Sequence, residues 1–300
     1  QEMMLARAKA LLQSGDVQRV LGWQTGEFAY DVTPAVFETA EELDAKFVYN
    51  DFCGSNLSKY LVKESRKEGR VLVFLKPCDT YSFNQLIKEH RIARENIYVI
   101  GVPCAGKTDG ETLKGLGLKG ILGGKDAGDC FTVETLYGEK TVSKQESLPE
   151  RCRSCKSHKH MVYDELLGEE GEVLDSHRFD MVEKIESMSA DERFAFWQGE
   201  LSRCIRCNAC RNVCPACTCE KCVFDNENSG IAQKAAADSF EESMFHIIRA
   251  FHVAGRCTDC GECSRVCPQN IPLHLLNRKF IKDINTFYGA YQAGEDTESR

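Results

Sequence analysis

The chain has little that would take it to a membrane, onto a nucleic acid, or into a disulfide-bonded existence outside the cell. No apolar run approaches the roughly 20 residues that a bilayer span needs. The opening Q-E-M-M-L-A-R-A-K-A lacks the apolar core of a signal peptide. Positive charge is in deficit, with 38 Lys and Arg against 46 Asp and Glu and a formal charge of −8. No basic stripe interleaved with aromatics offsets that deficit, which speaks against a nucleic-acid partner. These absences predict a cytoplasmic protein with no transmembrane segment. In that compartment cysteine seldom serves disulfides, so the 17 cysteines present point to metal or redox chemistry. At 300 residues the chain is long enough for two domains and a proper hydrophobic core.

The cysteines come in motifs. Cys204, Cys207, Cys210 and Cys214, closed by Pro215, match C-x2-C-x2-C-x3-C-P, and Cys257, Cys260, Cys263 and Cys267, closed by Pro268, repeat it. In this run three closely spaced thiolates wrap one 4Fe-4S cubane and the fourth ligates the neighbouring cluster. Two copies therefore predict crossed ligation. Cys204, Cys207, Cys210 and Cys267 would hold one cluster, and Cys257, Cys260, Cys263 and Cys214 the other. Zinc sites seldom use a four-cysteine run closed by Pro, let alone two. Arg203, Arg206, Arg211, Arg256 and Arg265 crowd the motifs and are candidates for offsetting cluster charge.

Ahead of this region, a short apolar strand followed by a polar, helix-forming stretch occurs three times: residues 47–49 before 56–67, 71–75 before 80–90, and 97–102 before a glycine-rich segment. Such alternation predicts an α/β domain, its sheet parallel or mixed with crossover helices. The three strands run into Cys53, Cys78 and Cys104. Ligands gather outside the carboxyl ends of strands in open sheets, so these thiols are expected to face one crevice. Residues 17–33 read as one or two strands turning at Gly26, residues 105–128 as a glycine-rich loop, and residues 131–144 as a hairpin about Tyr137-Gly138. The expected organisation is an α/β domain over 1–165, an acidic linker over 166–189, an α-rich domain over 190–290 containing a two-cluster ferredoxin-like module with a helical insertion, and a disordered tail over 291–300. Ser189 and Glu192 form a capping box that opens a helix. In the insertion, Phe240, Met244, Ile247, Ile248 and Phe251 share one helical face and read as core, with His246 and His252 packed or hydrogen-bonded rather than metal-bound.

Eight of the 17 cysteines go to the two ferredoxin clusters and Cys130 stands alone in a polar stretch. The other eight, Cys53, Cys78, Cys104, Cys152, Cys155, Cys217, Cys219 and Cys222, could serve two more cubanes. Zinc is a rival at one place, since Cys152-x2-Cys155-x2-His158-x-His160 offers usable ligand types. Residues 101–108, G-V-P-C-A-G-K-T, satisfy the phosphate-loop pattern. Such a loop should open a helix whose amides face the phosphates, and here it runs instead into the glycine-rich D-G-E-T-L-K-G-L-G.

V-L-V-F-L-K-P-C-D, then V-I-G-V-P-C-A-G, then C-R-S-C ahead of D-E-L-L-G resemble the β-subunit family of deazaflavin-reducing hydrogenases and formate dehydrogenases, over about residues 17–172. F-W-Q-G-E-L-S-R-C-I-R-C-N-A-C-R-N-V-C-P-A-C-T-C is similar to the dicluster region of bacterial formate dehydrogenase β-like subunits, which are associated with heterodisulfide-reductase-type complexes. This chain departs from the deazaflavin hydrogenase subunits by placing its dicluster motif after the α/β domain. Equivalents of Cys78, Cys104, Cys152 and Cys155 recur in distant members, and the resemblance groups them as a third cluster, leaving Cys217, Cys219 and Cys222 with Cys53 for a fourth. It implies an iron-sulfur electron-transfer subunit with no catalytic side chain of its own, relaying electrons between a catalytic oxidoreductase subunit and a heterodisulfide-reductase-like or other acceptor subunit. The alternative that the family raises is FAD in the α/β crevice near Cys78 and Cys104, splitting two-electron transfer into single steps.

Overall fold

The computed structural model describes residues 1–175, 177–226, 228 and 239–298. The chain forms two compact units, Gln1–Ser176 and His177–Asp296.

The first unit contains β1 (Arg19–Thr25), β2 (Val32–Phe37), β3 (Val71–Leu75), β4 (Ile97–Gly101), β5 (Ile121–Asp126), β6 (Cys130–Thr135), β7 (Gly138–Ser143) and β8 (Glu165–Leu166). A mixed five-stranded sheet has the order β2-β1-β3-β4-β8, with β1, β3, β4 and β8 parallel and β2 antiparallel at one edge. β3 lies at its centre because V-L-V-F-L is apolar at every position and buried on both faces. Its crossover to β4 is the helix Pro77–Lys88, which begins with Pro in the first turn, where the missing N–H is no loss.

Residues 47–49 are not a strand of this sheet. The partner that runs parallel to β3 on that side is β1. Phe47 follows directly on the helix Ala40–Lys46, makes one isolated bridge to Gln24, and packs its ring on Phe37 and Phe74 at 6.0 and 5.6 Å. Gly22 makes room for that ring, since a Cβ there would lie 2.8 Å from it.

The hairpin expected over 131–144 is β6 and β7, and a third strand joins it from the stretch read as loop. β5 pairs antiparallel with β6, giving a small sheet ordered β5-β6-β7. Of the two glycines in β5, Gly124 faces the Phe131 ring, from which a Cβ would lie 2.6 Å, and Gly123 faces Ala29, from which it would lie 3.0 Å. The stretch read as an acidic linker carries regular structure at both ends: Leu166 pairs with Gly101, and Asp180–Glu186 is a helix.

The second unit is helical. Its longer helices are Ala190–Leu201, Ser239–Val253 and Leu273–Tyr288. The Ser189–Glu192 capping box closes the first of these, with Ser189 Oγ accepting from the Glu192 amide and Glu192 accepting from the Ser189 amide. The core is small and includes two cysteines: Leu201, Phe224, Phe245, Ile271 and Leu273 pack with Cys210 and Cys263. The helix Ser239–Val253 meets the expectation only in part: Ile248 packs on this core, but Ile247 faces out with Phe240 and Phe251. Phe240 and Phe251 are 72% and 62% exposed, while Glu242, Phe245, His246 and Arg249 are buried. The tail is also ordered further than expected. Tyr291 donates its hydroxyl to the Gly255 carbonyl at 3.0 Å, and Ala293 is buried.

Phe74 is fully buried in the central strand. Phe74→Ala is expected to cost about 3–5 kcal/mol, read as a lower denaturation midpoint of the sheet in the anaerobically purified chain; a change below about 1 kcal/mol would contradict the placement of β3.

Candidate metal centres

The two four-cysteine motifs fold alike. In the first, Arg206 and Asn208 flank Cys207 with φ of 54° and 62°; in the second, Asp259 and Gly261 flank Cys260 with φ of 59° and 70°. Left-handed backbone costs a non-glycine residue about 1–3 kcal/mol and persists where the surroundings impose it. Here it turns backbone amides toward sulfur. The Arg206 amide donates to Cys204 Sγ at 3.3 Å, the Asp259 amide to Cys257, and the Glu262 amide to Cys260. Each motif then enters a single helical turn, Ala209–Asn212 or Glu262–Arg265.

The last cysteine of each motif belongs with the other copy. Cys204, Cys207, Cys210 and Cys267 line one cavity, together with Phe245 and His246. Cys214 lies close enough to act electrostatically on Cys257, Cys260 and Cys263. Burial first pushes Cys204, Cys257 and Cys263 up to about 12 and Cys260 well above the ordinary thiol value, with carboxylates adding to it at Cys204, Cys257 and Cys260 and neighbouring sulfurs at Cys263. Left to the protein alone these sulfurs stay protonated. They become ligands only where a bound cation takes over the charge, so the donor set fits an iron-sulfur cluster. Among the described residues no three His, Cys, Asp or Glu side chains converge as they would on a single metal ion. A cubane has no such requirement, because each ligand sulfur binds a separate iron corner.

The arginines of the motifs are engaged with carboxylates: Arg203 with Glu200, Arg206 with Glu242, Arg211 with Asp225 and Arg265 with Glu262. A cation that meets sulfurs of both motifs is Arg249, which carries no motif of its own and sits 35 residues beyond Cys214. It is 4% exposed and donates Nη2 to the Cys210 carbonyl at 3.1 Å. Burial opposes its charge, and the sulfurs of Cys214, Cys263, Cys217 and Cys210 more than offset that, holding its pKa above the ordinary value. A buried His246 lies one turn before it. Burial, then Arg249 and Arg206, push the imidazole down to about 3 and keep it neutral.

In the first unit, Cys78 sits in the first turn after β3, Cys104 in the loop after β4, and Cys152 in the short helix Glu150–Arg153 just ahead of Cys155. The four are neighbours. Burial raises each of Cys78, Cys104 and Cys152, and after it Cys155 and Cys104 act on Cys78, Cys152 on Cys104, and Cys155 on Cys152. Lys76 and Lys107 counter the rise at Cys104. Lys76 is 1% exposed and donates to Asp79 Oδ2 at 2.7 Å and to the Ser55 carbonyl at 2.8 Å. The strand ends suggested as a flavin crevice thus face the segment carrying Cys152 and Cys155.

Cys53 has a different setting. It is a buried core residue whose Sγ accepts from the Asn50 amide at 3.2 Å and closes that turn. Cys217, Cys219 and Cys222 belong to the second unit, where Cys219 is exposed and Cys222 is hydrogen-bonded by Arg211.

The zinc rival loses a ligand to structure. His160 is buried with Nδ1 on Glu170 at 2.8 Å and Nε2 on the Val102 carbonyl at 3.2 Å, so both ring nitrogens are committed. The phosphate-loop pattern is likewise accounted for. Lys107 donates to the Asn50 carbonyl at 2.8 Å under the Tyr49 ring, and Thr108 to the Ser147 carbonyl. Residues 115–120 spell G-x-G-x-x-G. They follow the helix Gly110–Gly115 and lead into β5, the reverse of the strand-turn-helix order that cradles a dinucleotide.

Residues 200–271 match the 4Fe-4S dicluster domain family. The chain is 24% identical, over 91% of its length and 87% of the relative's, to the F420-dependent formate dehydrogenase subunit beta of Methanocaldococcus jannaschii. It is 23% identical, over 97% of its length and 90% of the relative's, to the F420-dependent formate dehydrogenase 1 subunit beta of Methanococcus maripaludis. A chain of the F420-reducing NiFe hydrogenase complex from Methanosarcina barkeri superposes with a TM-score of 0.40 at 14% identity, over 48% of this chain and 54% of that one. Among the described residues no helix is long and apolar enough to cross a membrane.

Iron removal separates the two units. Anaerobic chelation is expected to open Ser239–Val253 and Leu273–Tyr288 to amide hydrogen exchange while β3 and β4 stay protected, because the core of the second unit is built around ligand cysteines and that of the first is apolar. Equal protection of both units after iron loss would contradict this.

Proposed function

The chain is, over most of its length, a homologue of formate dehydrogenase β subunits and carries a 4Fe-4S dicluster domain, and from this we propose that it is the electron-relay subunit of a multi-subunit oxidoreductase. It passes single electrons between a catalytic subunit of the formate dehydrogenase or hydrogenase kind and an acceptor subunit, one of heterodisulfide-reductase-like type. The observation that carries the reading is the meeting of Cys267 with Cys204, Cys207 and Cys210 in one cavity. These four hold one cubane, and Cys257, Cys260, Cys263 and Cys214 hold the second. Cys78, Cys104, Cys152 and Cys155 hold a third in the α/β unit, supported by their mutual proximity and by the flanking Lys76 and Lys107.

When bound, such cubanes accept and return one electron at a time at potentials that their surroundings set. The protein's own part is to hold the sulfurs, keep water from them and place charge. Arg249 brings a fixed cation between sulfurs of both ferredoxin-type sets, since Cys210 belongs to one and Cys214 and Cys263 to the other. A cation there favours the reduced, more negative state of both. Access is provided at the first set, where Cys207 and Ile205 are exposed. No acid, base or nucleophile is required of the chain.

Anaerobically purified protein should contain about twelve iron and about twelve acid-labile sulfide per chain. Cys104→Ala should lower both to about eight while leaving the ferredoxin-type signals unchanged; a wild-type count near eight would remove the third set. Crossed ligation makes a separate prediction for electron paramagnetic resonance of the reduced protein. Cys267→Ala should abolish the signal that Cys204→Ala abolishes, and Cys214→Ala the one that Cys257→Ala abolishes; the opposite pairing would overturn the assignment.

A further inference from the structure

His246 is 2% exposed, and among the described residues neither of its ring nitrogens has a hydrogen-bond partner. A buried polar atom without a partner is expensive and calls for an explanation. Glu242, one turn earlier on the same inward edge, is buried too, yet no hydrogen bond joins it to the imidazole among the described residues. Phe245 stands edge-on to the ring at 5.0 Å, and the charged groups that act on it, Arg249 and Arg206, are donors themselves. What the imidazole does share is the cavity formed by Cys204, Cys207, Cys210 and Cys267.

The second cysteine set shows the same device with its partner already visible. Asn277, buried on the helix Leu273–Tyr288, donates Nδ2 to Cys263 Sγ at 3.6 Å. Cys263 is the third cysteine of its motif, the counterpart of Cys210 in the first. Each set therefore has one long helix bringing one buried nitrogen donor toward it. In the helix Ser239–Val253 this explains why a polar edge, Glu242, His246 and Arg249, is turned inward while Phe240 and Phe251 face solvent.

We infer that His246 donates a ring N–H to a sulfur of the cubane held by Cys204, Cys207, Cys210 and Cys267, and that this bond raises the reduction potential of that cluster above the value it would have without it. The direction follows from charge. An N–H dipole aimed at sulfur stabilises the reduced cluster, which carries more negative charge, more than the oxidised one. His246 is a positioning and tuning residue, and the inference rests on the ligand reading proposed above.

The test uses the full chain, purified anaerobically, with histidine labelled with nitrogen-15, and with His246→Leu and His246→Gln variants. Iron and sulfide are counted before each redox titration followed by electron paramagnetic resonance. A nitrogen-15 coupling is expected on one reduced cluster of the wild-type protein. With iron content unchanged, His246→Leu should abolish that coupling and lower the midpoint potential of that cluster alone, while His246→Gln, which keeps an N–H, should lie closer to wild type. A fully loaded Leu variant with an unshifted midpoint overturns the inference. Should that variant lose iron, the wild-type spectrum decides, since absence of histidine coupling overturns the inference by itself. Fewer than two reducible ferredoxin-type signals in wild type would instead remove the ligand reading, and the inference with it.

Discussion

A sulfur ligand must be charged to bind iron, and this protein places its sulfurs where charge is least welcome. Burial pushes Cys204, Cys257 and Cys263 up to about 12 and Cys260 well above the ordinary thiol value. The architecture of the second unit is best understood as the means of bearing the charge that a cluster brings. Three non-glycine residues accept left-handed backbone so that amides can turn inward. Four motif arginines neutralise nearby carboxylates that would otherwise add repulsion. Arg249 is carried in among sulfurs of both motifs.

The α/β unit meets the same constraint by different means. Its central strands β3 and β4 are largely buried and apolar, which makes their ends fixed points from which Cys78 and Cys104 follow. Positive charge is supplied from beneath. The Lys76–Asp79 pair is costly to bury in isolation. It is retained at the point where Cys78 and Cys104 add negative charge, with a second hydrogen bond to the Ser55 carbonyl securing the ammonium. An apolar α/β unit with one cysteine set and a helical unit whose small core includes ligand-type cysteines of two sets suit the proposed relay, in which positions of sulfur matter more than any reactive side chain.

The short cysteine spacings made both ferredoxin-type motifs legible from sequence, because few other structures need three thiols in seven residues. V-L-V-F-L was equally clear, since only a strand buried on both faces is apolar throughout. Other elements were misjudged for physical reasons. The stripe of Phe240, Ile247 and Phe251 follows the rule that the apolar face goes inward, and that rule reverses where the neighbour is a charged, sulfur-rich site. β5 was hidden because its glycines answer neighbouring side chains, Ala29 at Gly123 and Phe131 at Gly124, rather than a turn. Residues 47–49 have strand composition, but the helix before them and the Asn50 turn after them leave too little length to pair. Arg249 and His246 carry no motif, and only the folding of the insertion against the cysteines makes them meaningful.

Reversible electron uptake tests the relay most directly. In controlled-potential coulometry the anaerobically purified chain is predicted to take up and give back about three electrons, one per cubane, through repeated cycles without loss of iron or of helical structure. A chain that takes up none, or that sheds iron and unfolds on reduction, would show that the metal merely supports the fold and would contradict the relay.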